Sequence, residues 1–345
     1  MNTTIFKIDR ENIDKEVIKK AGSYIREGML VAFPTETVYG LGADGLNEGA
    51  CKDIFLAKGR PSDNPLILHI SNISMLYNLV DEINPSAQKL IEKFWPGPLT
   101  IIFKKSEKIS NAVTAGLQTV AIRFPKDEIA RTLISTVNTP IAAPSANISG
   151  RPSPTRAIDV YNDLNGKIPM IIDGGPCDIG IESTVIDLSE DIPTILRPGF
   201  YTYEDIKEIL PNVILDDSII DSKKTPKSPG QKYTHYAPKA QMEIFVGKFA
   251  VDEMLKKAKS NSSKTSKVGI LTFDDTIEKF KDFTTISLGS RNDLTYMSHI
   301  LFTSLRMMDD NHVDLILAEG VSEEGLGKSI MNRMKKSASF NVNYV

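Results

Sequence analysis

The stretch MLVAFPTETVYGLGADGL, residues 29–46, decides the fold of the N-terminal half of this chain. Residues 29–33 are a short apolar run that ends at Pro34, which is the pattern of a buried strand. Polar side chains follow at once, and Gly40, Gly42 and Gly45 permit close approach of the backbone. Open α/β sheets bind ligands in the loops after their strands. The stretch therefore predicts one wall of a binding site, with a plain polar turn as the alternative.

Outward from this stretch, strand-like and helix-like segments alternate. Strand candidates are 66–70, 99–103, 120–123, 141–143, 170–173 and 183–188, and helical periodicity covers 13–27, 48–58, 85–94 and 126–137. Alternation of this kind predicts an α/β domain with an open twisted sheet and covering helices over residues 1–205.

The amino-acid composition changes beyond this domain. Residues 206–240 include KKTPKSPGQKYTHYAPKAQ, whose Pro, Lys, Ser and Gly content is typical of a linker. Its aromatic residues are unusual for a solvated spacer, so we predict that the linker acts as a lid. Residues 241–345 alternate again, with strand candidates at 242–245, 268–271, 284–287 and 313–318 and helices at 251–259, 294–307 and 328–336. They predict a smaller, Rossmann-like α/β domain.

Composition excludes several classes of protein. The 345 residues carry 41 Lys and Arg against 44 Asp and Glu, a net charge of −3, which argues against a protein that coats nucleic acid. Cys51 and Cys177 lie far apart without a second Cys or His nearby, so they predict reduced thiols rather than a zinc site or a disulfide. No apolar run of about 18 residues occurs, and we expect a cytosolic protein that does not contact membranes.

Cations and small polar residues cluster at the ends of the predicted elements. Lys58 and Arg60 flank a glycine where a helix should end, an arrangement that suits polyphosphate or simply complements the helix dipole. The segment IAAPSANISGRPSPT offers Ser145, Asn147, Ser149 and Ser153 in a Gly/Pro-rich loop, a composition that favours anion binding. Arg123 and Arg197 end strands and can clamp a carboxylate or phosphate with two parallel hydrogen bonds.

Standard nucleotide and metal motifs are missing. Gly327-Lys328-Ser329 imitates the end of a P-loop, but the required first glycine falls on Ser322. The four histidines are scattered without metal-ligand spacing, and they form no Ser-His-Asp order.

Eight segments taken in order resemble the YrdC-like threonylcarbamoyl-AMP synthases, in the long form with a C-terminal extension domain. They are PTETVYGLG, Lys58-x-Arg60, FWPGPLT, Ser145-x-Asn147, ESTVID, LRPG, SPGQKYTHYAP and GLGKSIMNRMKKSAS. The resemblance implies that L-threonine, bicarbonate or carbon dioxide, and ATP yield threonylcarbamoyl-adenylate and diphosphate. A downstream transferase then modifies adenosine next to the tRNA anticodon. Mg²⁺ is expected with ATP, without a dedicated protein metal site.

The resemblance also implies roles for single residues. ATP is assigned to Lys58 and Arg60, which are the catalytic candidates as well, and to Ser62, Thr119, Ser145, Asn147, Thr155, Arg197 and the linker pair His235 and Tyr236. Threonine is assigned to Thr35, His69, Arg123 and Ser183. Trp95 in FWPGPLT is interpreted as a packing anchor. For Tyr236, packing against the second domain is the alternative to a lid.

Two other functions remain open at this point. A carbamoyltransferase of the hydrogenase-maturation or antibiotic-tailoring type resembles the same domain, but this chain has no cysteine-rich finger. An RNA-binding module is the other alternative. The near-neutral charge and the lack of interleaved aromatic residues disfavour it, although weak tRNA binding stays an expectation.

Overall fold

The computed structural model describes residues 2–220, 235–262 and 267–345. The chain divides into two compact units. The first comprises Met1–Ser149, Ser153–Asp178 and Glu182–Lys232, and the second comprises Gly150–Pro152, Ile179–Ile181 and Tyr233–Val345. Residues 221–234 of the predicted linker and lid lie outside the described residues.

The first unit is built on one large mixed sheet. Its strands are β1 (Thr4–Lys7), β2 (Val31–Phe33), β3 (Gly40–Asp44), β4 (Ile67–His69), β5 (Leu99–Lys104), β6 (Thr119–Arg123), β7 (Ile141–Ala142), β8 (Met170–Asp173), β9 (Thr184–Asp187), β10 (Thr194–Arg197) and β11 (Ile214–Leu215). They are ordered β1-β8-β2-β3-β7-β4-β6-β5-β9-β10-β11. Parallel pairs such as β4 and β6 alternate with antiparallel pairs such as β5 and β6.

Helices pack on this sheet. They are α1 (Lys15–Arg26), α2 (Glu48–Lys58), α3 (Ile73–Leu76), α4 (Pro85–Phe94), α5 (Asn111–Thr114), α6 (Glu128–Val137), α7 (Ala157–Leu164), α8 (Tyr203–Ile209) and α9 (Asp217–Ile220). One hydrophobic cluster joins α1 and α6 to β2 and β8, and a larger cluster contains buried residues of α2, α4 and α7. The predicted α/β fold class is confirmed for this half of the chain.

The segment 34–46, predicted as a continuous loop, contains strand β3, which pairs antiparallel with β2 and makes a hairpin. The glycines of this strand serve protein packing. A Cβ atom on Gly42 would lie 2.7 Å from Phe33 Cε1 and 2.9 Å from Ile141 Cγ2. The space that we ascribed to a ligand near Gly42 is therefore occupied by protein side chains.

Local signals place Lys58 at the end of α2. The side chain of Asn47 accepts a hydrogen bond from Ala50 N at 3.1 Å and caps the first turn. Gly59 then takes the left-handed conformation with φ of 60° and ends the helix. Lys58 is consequently the last residue of the helix, and Arg60 lies just beyond the Gly59 cap.

The second unit holds a five-stranded parallel sheet. Its elements are β12 (Gln241–Val246), α10 (Ala250–Ser262), β13 (Val268–Thr272), a 3₁₀ turn (Ile277–Phe280), β14 (Thr284–Ser287), α11 (Leu294–Asp310), β15 (Leu315–Glu319), α12 (Leu326–Ser337) and β16 (Val342–Tyr344). The strand order is β14-β13-β15-β12-β16. From β12 to β14 the chain crosses the sheet in one direction, and from β14 to β16 it crosses in the other. Because crossovers between parallel strands are right-handed, α10 lies on one face of the sheet and α11 and α12 lie on the other. The predicted smaller α/β domain is confirmed. Within the described ranges, no helix is long and apolar enough to cross a bilayer.

Candidate active site

The turn between β2 and β3 is polar yet buried. Thr35, Glu36 and Thr37 are between 0% and 3% exposed. The Thr35 hydroxyl lies 2.9 Å from the Thr37 hydroxyl and donates to the carbonyl of Val38 at 2.7 Å. Buried hydroxyls need such partners. The turn is therefore a fixed structure with its polar groups aimed inward, not a solvated loop.

Arg123, at the end of β6, meets this turn. Its Nη1 donates to the Thr37 hydroxyl at 2.9 Å, and its Nη2 lies 2.8 Å from Glu36 Oε1. Both charged side chains are 5% exposed. Burial alone would raise the pKa of the Glu36 carboxyl, but the nearby charge of Arg123 lowers it on balance. Glu36 is therefore ionised, and the two residues form a buried ion pair that sequence reasoning did not predict.

Part of the Arg123 guanidinium makes no aligned hydrogen bond to the protein. Nε and Nη2 are buried, and neither makes an aligned hydrogen bond within the described part of the chain. The 2.8 Å approach to Glu36 is thus an ion pair without hydrogen-bond alignment. Nε and Nη2 are the two donors of one guanidinium edge, which is the geometry that receives a carboxylate in a bidentate way.

His69, at the end of β4, is 4% exposed beside this pair. Its Nδ1 lies 3.2 Å from the carbonyl of Ile67, so this nitrogen carries the proton and donates it. Burial and then the nearby charge of Arg123 lower the pKa of His69 to about 3. His69 is consequently a neutral imidazole at physiological pH, a hydrogen-bonding group rather than a cation.

A second buried cluster joins β5, β9 and β10. Arg197 donates from Nε to the carbonyl of Ser183 at 3.1 Å and from Nη2 to its hydroxyl at 3.0 Å. The Ser183 hydroxyl also lies 2.7 Å from the hydroxyl of Thr100, a residue that sequence reasoning missed. The structure therefore brings together a residue assigned to ATP and one assigned to threonine.

Lys58 organises the loop after β7. It is 2% exposed, and its Nζ donates to the carbonyls of Ser145 and Asn147, the latter at 2.5 Å. The Ser145 hydroxyl donates to Asn147 Oδ1 at 2.5 Å, and Ser149 N donates to the Lys58 carbonyl at 2.9 Å. Three residues predicted to bind ATP are thus in direct contact.

The end of that loop is also held by buried polar contacts. Ser153 is 1% exposed and donates to Glu182 Oε1 at 2.5 Å. The carbonyl of Thr155 accepts from Cys177 N at 2.9 Å. Thr155, predicted to contact the nucleotide, is 2% exposed, and its backbone carbonyl makes this contact.

The remaining ATP candidates of the first unit lie at its surface. Nη2 of Arg60 donates to the carbonyls of Asn64 and Pro65, each at 3.2 Å, and Ser62 is exposed. Thr119 lines a small pocket with Ile102, Ala121, Asp187 and Leu196. Asp187 was not predicted, because a carboxylate at the end of a strand normally indicates solvent.

His235 and Tyr236 belong to the second unit. The Tyr236 ring packs on Phe302 of α11 with centroids 5.0 Å apart, and Tyr236 is 5% exposed. Its φ of 64° is unusual for a residue with a side chain. In this structure Tyr236 makes the packing contact that we considered as the alternative to a lid, and an ATP-binding role of the pair stays a prediction.

Two further predictions concern Trp95 and metal ligands. Trp95 is 9% exposed and donates from its indole nitrogen to the carbonyl of Leu99 at 2.7 Å, so it is a packing anchor. Across residues 2–220, 235–262 and 267–345, no group of three or more His, Cys, Asp or Glu is placed to hold a metal ion.

Two family models match almost the whole chain. Residues 23–199 match the Sua5/YciO/YrdC model, which carries the description "Telomere recombination". Residues 201–339 match a model described as "Threonylcarbamoyl-AMP synthase, C-terminal domain".

Full-length relatives agree with these matches. The chain is 47% identical to threonylcarbamoyl-AMP synthase of Pyrococcus abyssi, over 96% of this chain and 97% of the relative. It is 45% identical to the enzyme of that name from Bacillus subtilis, over 93% and 92%. A crystal structure of P. abyssi Sua5 complexed with L-threonine superposes with a TM-score of 0.94 at 44% identity, and 99% of each chain is covered.

The neutral state of His69 can be tested directly. We expect NMR of imidazole-labelled protein to show His69 uncharged from pH 8 down to about 4, because its pKa of about 3 lies well below the usual value of about 6.5. His69→Gln identifies the signal. A transition near the usual value, in protein that remains folded, would show that His69 is not buried beside Arg123.

Proposed function

We propose, on the premise that the chain belongs to the Sua5/YciO/YrdC family and is a threonylcarbamoyl-AMP synthase, that the buried polar groups of the first unit carry the reaction. The substrates are L-threonine, bicarbonate or carbon dioxide, and ATP. The products are threonylcarbamoyl-adenylate and diphosphate, and the enzyme is a nucleotidyltransferase.

One observation carries the threonine side of this proposal. The Nε and Nη2 edge of Arg123 is buried without an aligned acceptor in the described structure. Buried guanidinium donors without aligned hydrogen bonds are costly, and a carboxylate that accepts two parallel hydrogen bonds satisfies both at once. The α-carboxylate of threonine is such a group. A related protein of this family was crystallised with L-threonine, which agrees with the assignment.

Hydroxyls and the neutral imidazole then orient the amino acid. Thr35 and Ser183 lie in the two hydroxyl networks of the site. His69 offers a hydrogen-bonding group without adding charge. An uncharged neighbour matters because the threonine amine must lose its proton before it can act as a nucleophile.

The reaction forms two bonds in sequence. The neutral amine attacks the carbon of carbon dioxide and loses a proton, which gives the carbamate. A carbamate oxygen then attacks the α-phosphorus of ATP, and the bond to the β-phosphate oxygen breaks with release of diphosphate. Negative charge grows on the leaving group, so fixed cations and dipoles stabilise the transition state most.

Lys58, Arg60 and Arg197 supply the cations. Lys58 donates to backbone carbonyls of the Ser145 loop, and phosphate oxygens are stronger acceptors for an ammonium than neutral carbonyls. Mg²⁺ fits as part of the magnesium complex of ATP, since it keeps phosphate oxygens and waters as ligands. It would neutralise phosphate charge there.

The pocket at Thr119 suits the adenine base. Ile102, Ala121 and Leu196 give apolar walls, while Thr119 and Asp187 add polar atoms to the lining. Small-molecule sites commonly combine apolar walls with a few oriented polar groups. A carboxylate accepts a hydrogen bond from the exocyclic amine of adenine and repels the carbonyl oxygen that guanine has at the same position.

The chemical reactivity of threonylcarbamoyl-adenylate indicates which further partner the reaction needs. An acyl adenylate is a mixed anhydride that water hydrolyses, so a transferase that acts on tRNA must consume it. Direct tRNA binding and the cytosolic location stay predictions.

Threonine-dependent release of diphosphate tests the function. Lys58→Ala and Arg60→Ala should each lower the rate about 10²-fold or more, because loss of one positioned donor at a developing charge commonly costs that much. Lys167→Ala is the matched control, since Lys167 also donates to a backbone carbonyl, that of Ala57, but at the surface. The proposal fails if wild-type protein releases no diphosphate with threonine, or if folded Lys58→Ala matches the control.

Nucleotide preference tests the adenine pocket. Asp187→Asn removes the charge that disfavours guanine, so we expect the ratio of kcat/KM for ATP over GTP to fall about tenfold or more, within the range for a lost charged hydrogen bond. Asp191→Asn is the control, since Asp191 is exposed outside the pocket. An unchanged ratio would place the base elsewhere.

Calorimetry with threonine tests Arg123. Arg123→Lys keeps the positive charge but loses the two-donor edge, so we expect threonine to bind at least about tenfold more weakly. ATP affinity should change little. Arg26→Lys serves as the control, because Arg26 donates to the carbonyl of Thr136 from α1. Unchanged threonine affinity in Arg123→Lys would refute the assignment.

A further inference from the structure

We propose that Arg10 and Asp127 are positioning residues for threonine: they fix the turn and the strand end that present Glu36 and Arg123, and they do not touch the substrate. The inference rests on the proposed role of Arg123. It concerns two residues that lie outside every segment carrying the family resemblance.

Arg10 fixes one side of the site with two hydrogen bonds and one ion pair. Its Nε donates to the carbonyl of Gly174 at 2.6 Å and its Nη2 to the carbonyl of Pro176 at 3.3 Å. Its Nη1 lies 2.8 Å from Asp127 Oδ2. A planar guanidinium that meets three groups at once defines their relative positions more tightly than a single contact can. Arg10 therefore ties the loop after β8 to the start of α6.

Asp127 continues this contact toward Arg123. Its Oδ1 accepts from Ala130 N at 2.9 Å and caps α6, while its own backbone N lies 3.4 Å from Glu36 Oε2. It stands four residues after Arg123, in the link between β6 and α6. The sequence of contacts is thus Arg10, the Asp127 side chain, the Asp127 backbone, Glu36 and Arg123.

The loop held by Arg10 contacts the threonine turn from another direction. The Tyr39 hydroxyl donates to the carbonyl of Gly175 at 2.7 Å, and Cys177 N donates to the carbonyl of Thr155. Release of Arg10 would therefore loosen two neighbours of the site in addition to α6.

Several charged and titratable groups surround Asp127. The groups that face it are Arg10 from the N-terminal segment, Glu36 with its partner Arg123, Cys177 from the loop after β8, and Asp178, whose Oδ2 lies 3.8 Å from Arg10 Nη1. Lys126 and Glu128 flank it in sequence. Burial raises the pKa of the Cys177 thiol, so this thiol stays neutral. Protonation of Asp127 would leave Arg10 without its buried partner.

That protonation falls in an accessible range. Burial raises the pKa of Asp127 to about 6, although Ala130 N and Arg10 oppose the shift. A carboxyl group whose pKa is higher in the folded than in the unfolded protein binds more protons in the folded state. The free energy of unfolding therefore decreases as pH rises from about 4 to about 6 and this group becomes charged. The charged form of Asp127 at neutral pH therefore makes the fold less stable. Its charge is nevertheless required for the positioning role.

Threonine titration calorimetry across pH provides the test, with no ATP present. At pH about 5, one unit below this pKa, about a tenth of the protein keeps the carboxylate, so the wild-type Kd should be up to about tenfold higher than at pH about 8. Asp127→Asn, which keeps the capping oxygen, should bind threonine about tenfold more weakly at pH about 8 and lose the pH dependence. Arg10→Lys should weaken binding in the same direction.

The control is Glu319→Gln in the second unit. Glu319 Oε1 pairs with Arg291 Nη1 at 2.5 Å, with side chains 5% and 37% exposed, against 0% and 31% for Asp127 and Arg10. Glu319→Gln should keep both the wild-type Kd for threonine and its pH dependence. A merely structural Asp127 would instead change melting temperature and leave threonine affinity unaltered in folded protein.

The outcomes separate the two proposals. If Arg123→Lys binds threonine as wild type does, the proposed function of Arg123 fails and this inference fails with it. If Arg123→Lys is weakened but wild-type affinity is flat from pH about 5 to about 8, or Asp127→Asn matches wild type, the inference alone is overturned. The wild-type measurement decides the matter even if a variant does not fold.

Discussion

The buried ion pair of Glu36 and Arg123 is the constraint on which the site depends. Removing one partner from such a pair costs about 3–5 kcal/mol, because the other is left as an uncompensated buried charge. Both side chains are 5% exposed, so each must be held where the other can reach it. The hairpin turn, the hydroxyl of Thr37 and the backbone of Asp127 all serve this placement. The polar turn is therefore as fixed as the strands that it joins.

Periodicity predicted most of the elements, and the exceptions have tertiary causes. The predicted helices at 48–58 and 85–94 coincide with α2 and α4, because each has an Asn cap and an apolar face that repeats with the helical period. Strand β3 was missed because its glycines carry no side chain that could alternate. Gly42 is required there by Phe33 and Ile141, which are distant in sequence, and only the folded chain brings those neighbours together.

Site residues were predictable from the sequence where a side chain that suits anions stands at the end of a predicted helix or strand. Lys58, Ser145 and Asn147 stand at element ends with side chains that suit anions, and they are in contact in the structure. Glu36 and Thr100 were missed because a single polar residue next to a strand gives no sign of whether it is buried. The sequence PTET before a hairpin could have drawn attention to Glu36, but its pairing with Arg123 joins positions 87 residues apart.

The residues that we assign to threonine and those that we assign to ATP differ in net charge, as the two substrates do. Threonine enters as a zwitterion of zero net charge, and the pocket that we assign to it contains the ion pair of Glu36 and Arg123. The pair of Asp127 and Arg10 supports that pocket without touching threonine, so neither pair adds net charge to the buried site. ATP brings several negative charges. The cations that we assign to it include Lys58 and Arg197, which donate to backbone carbonyls and to the hydroxyl of Ser183, and these groups compete weakly with phosphate oxygens. Carbamate formation removes the positive charge of the amine and adds a negative one. The cations that we assign to ATP therefore attract the carbamate more strongly than they attract threonine itself.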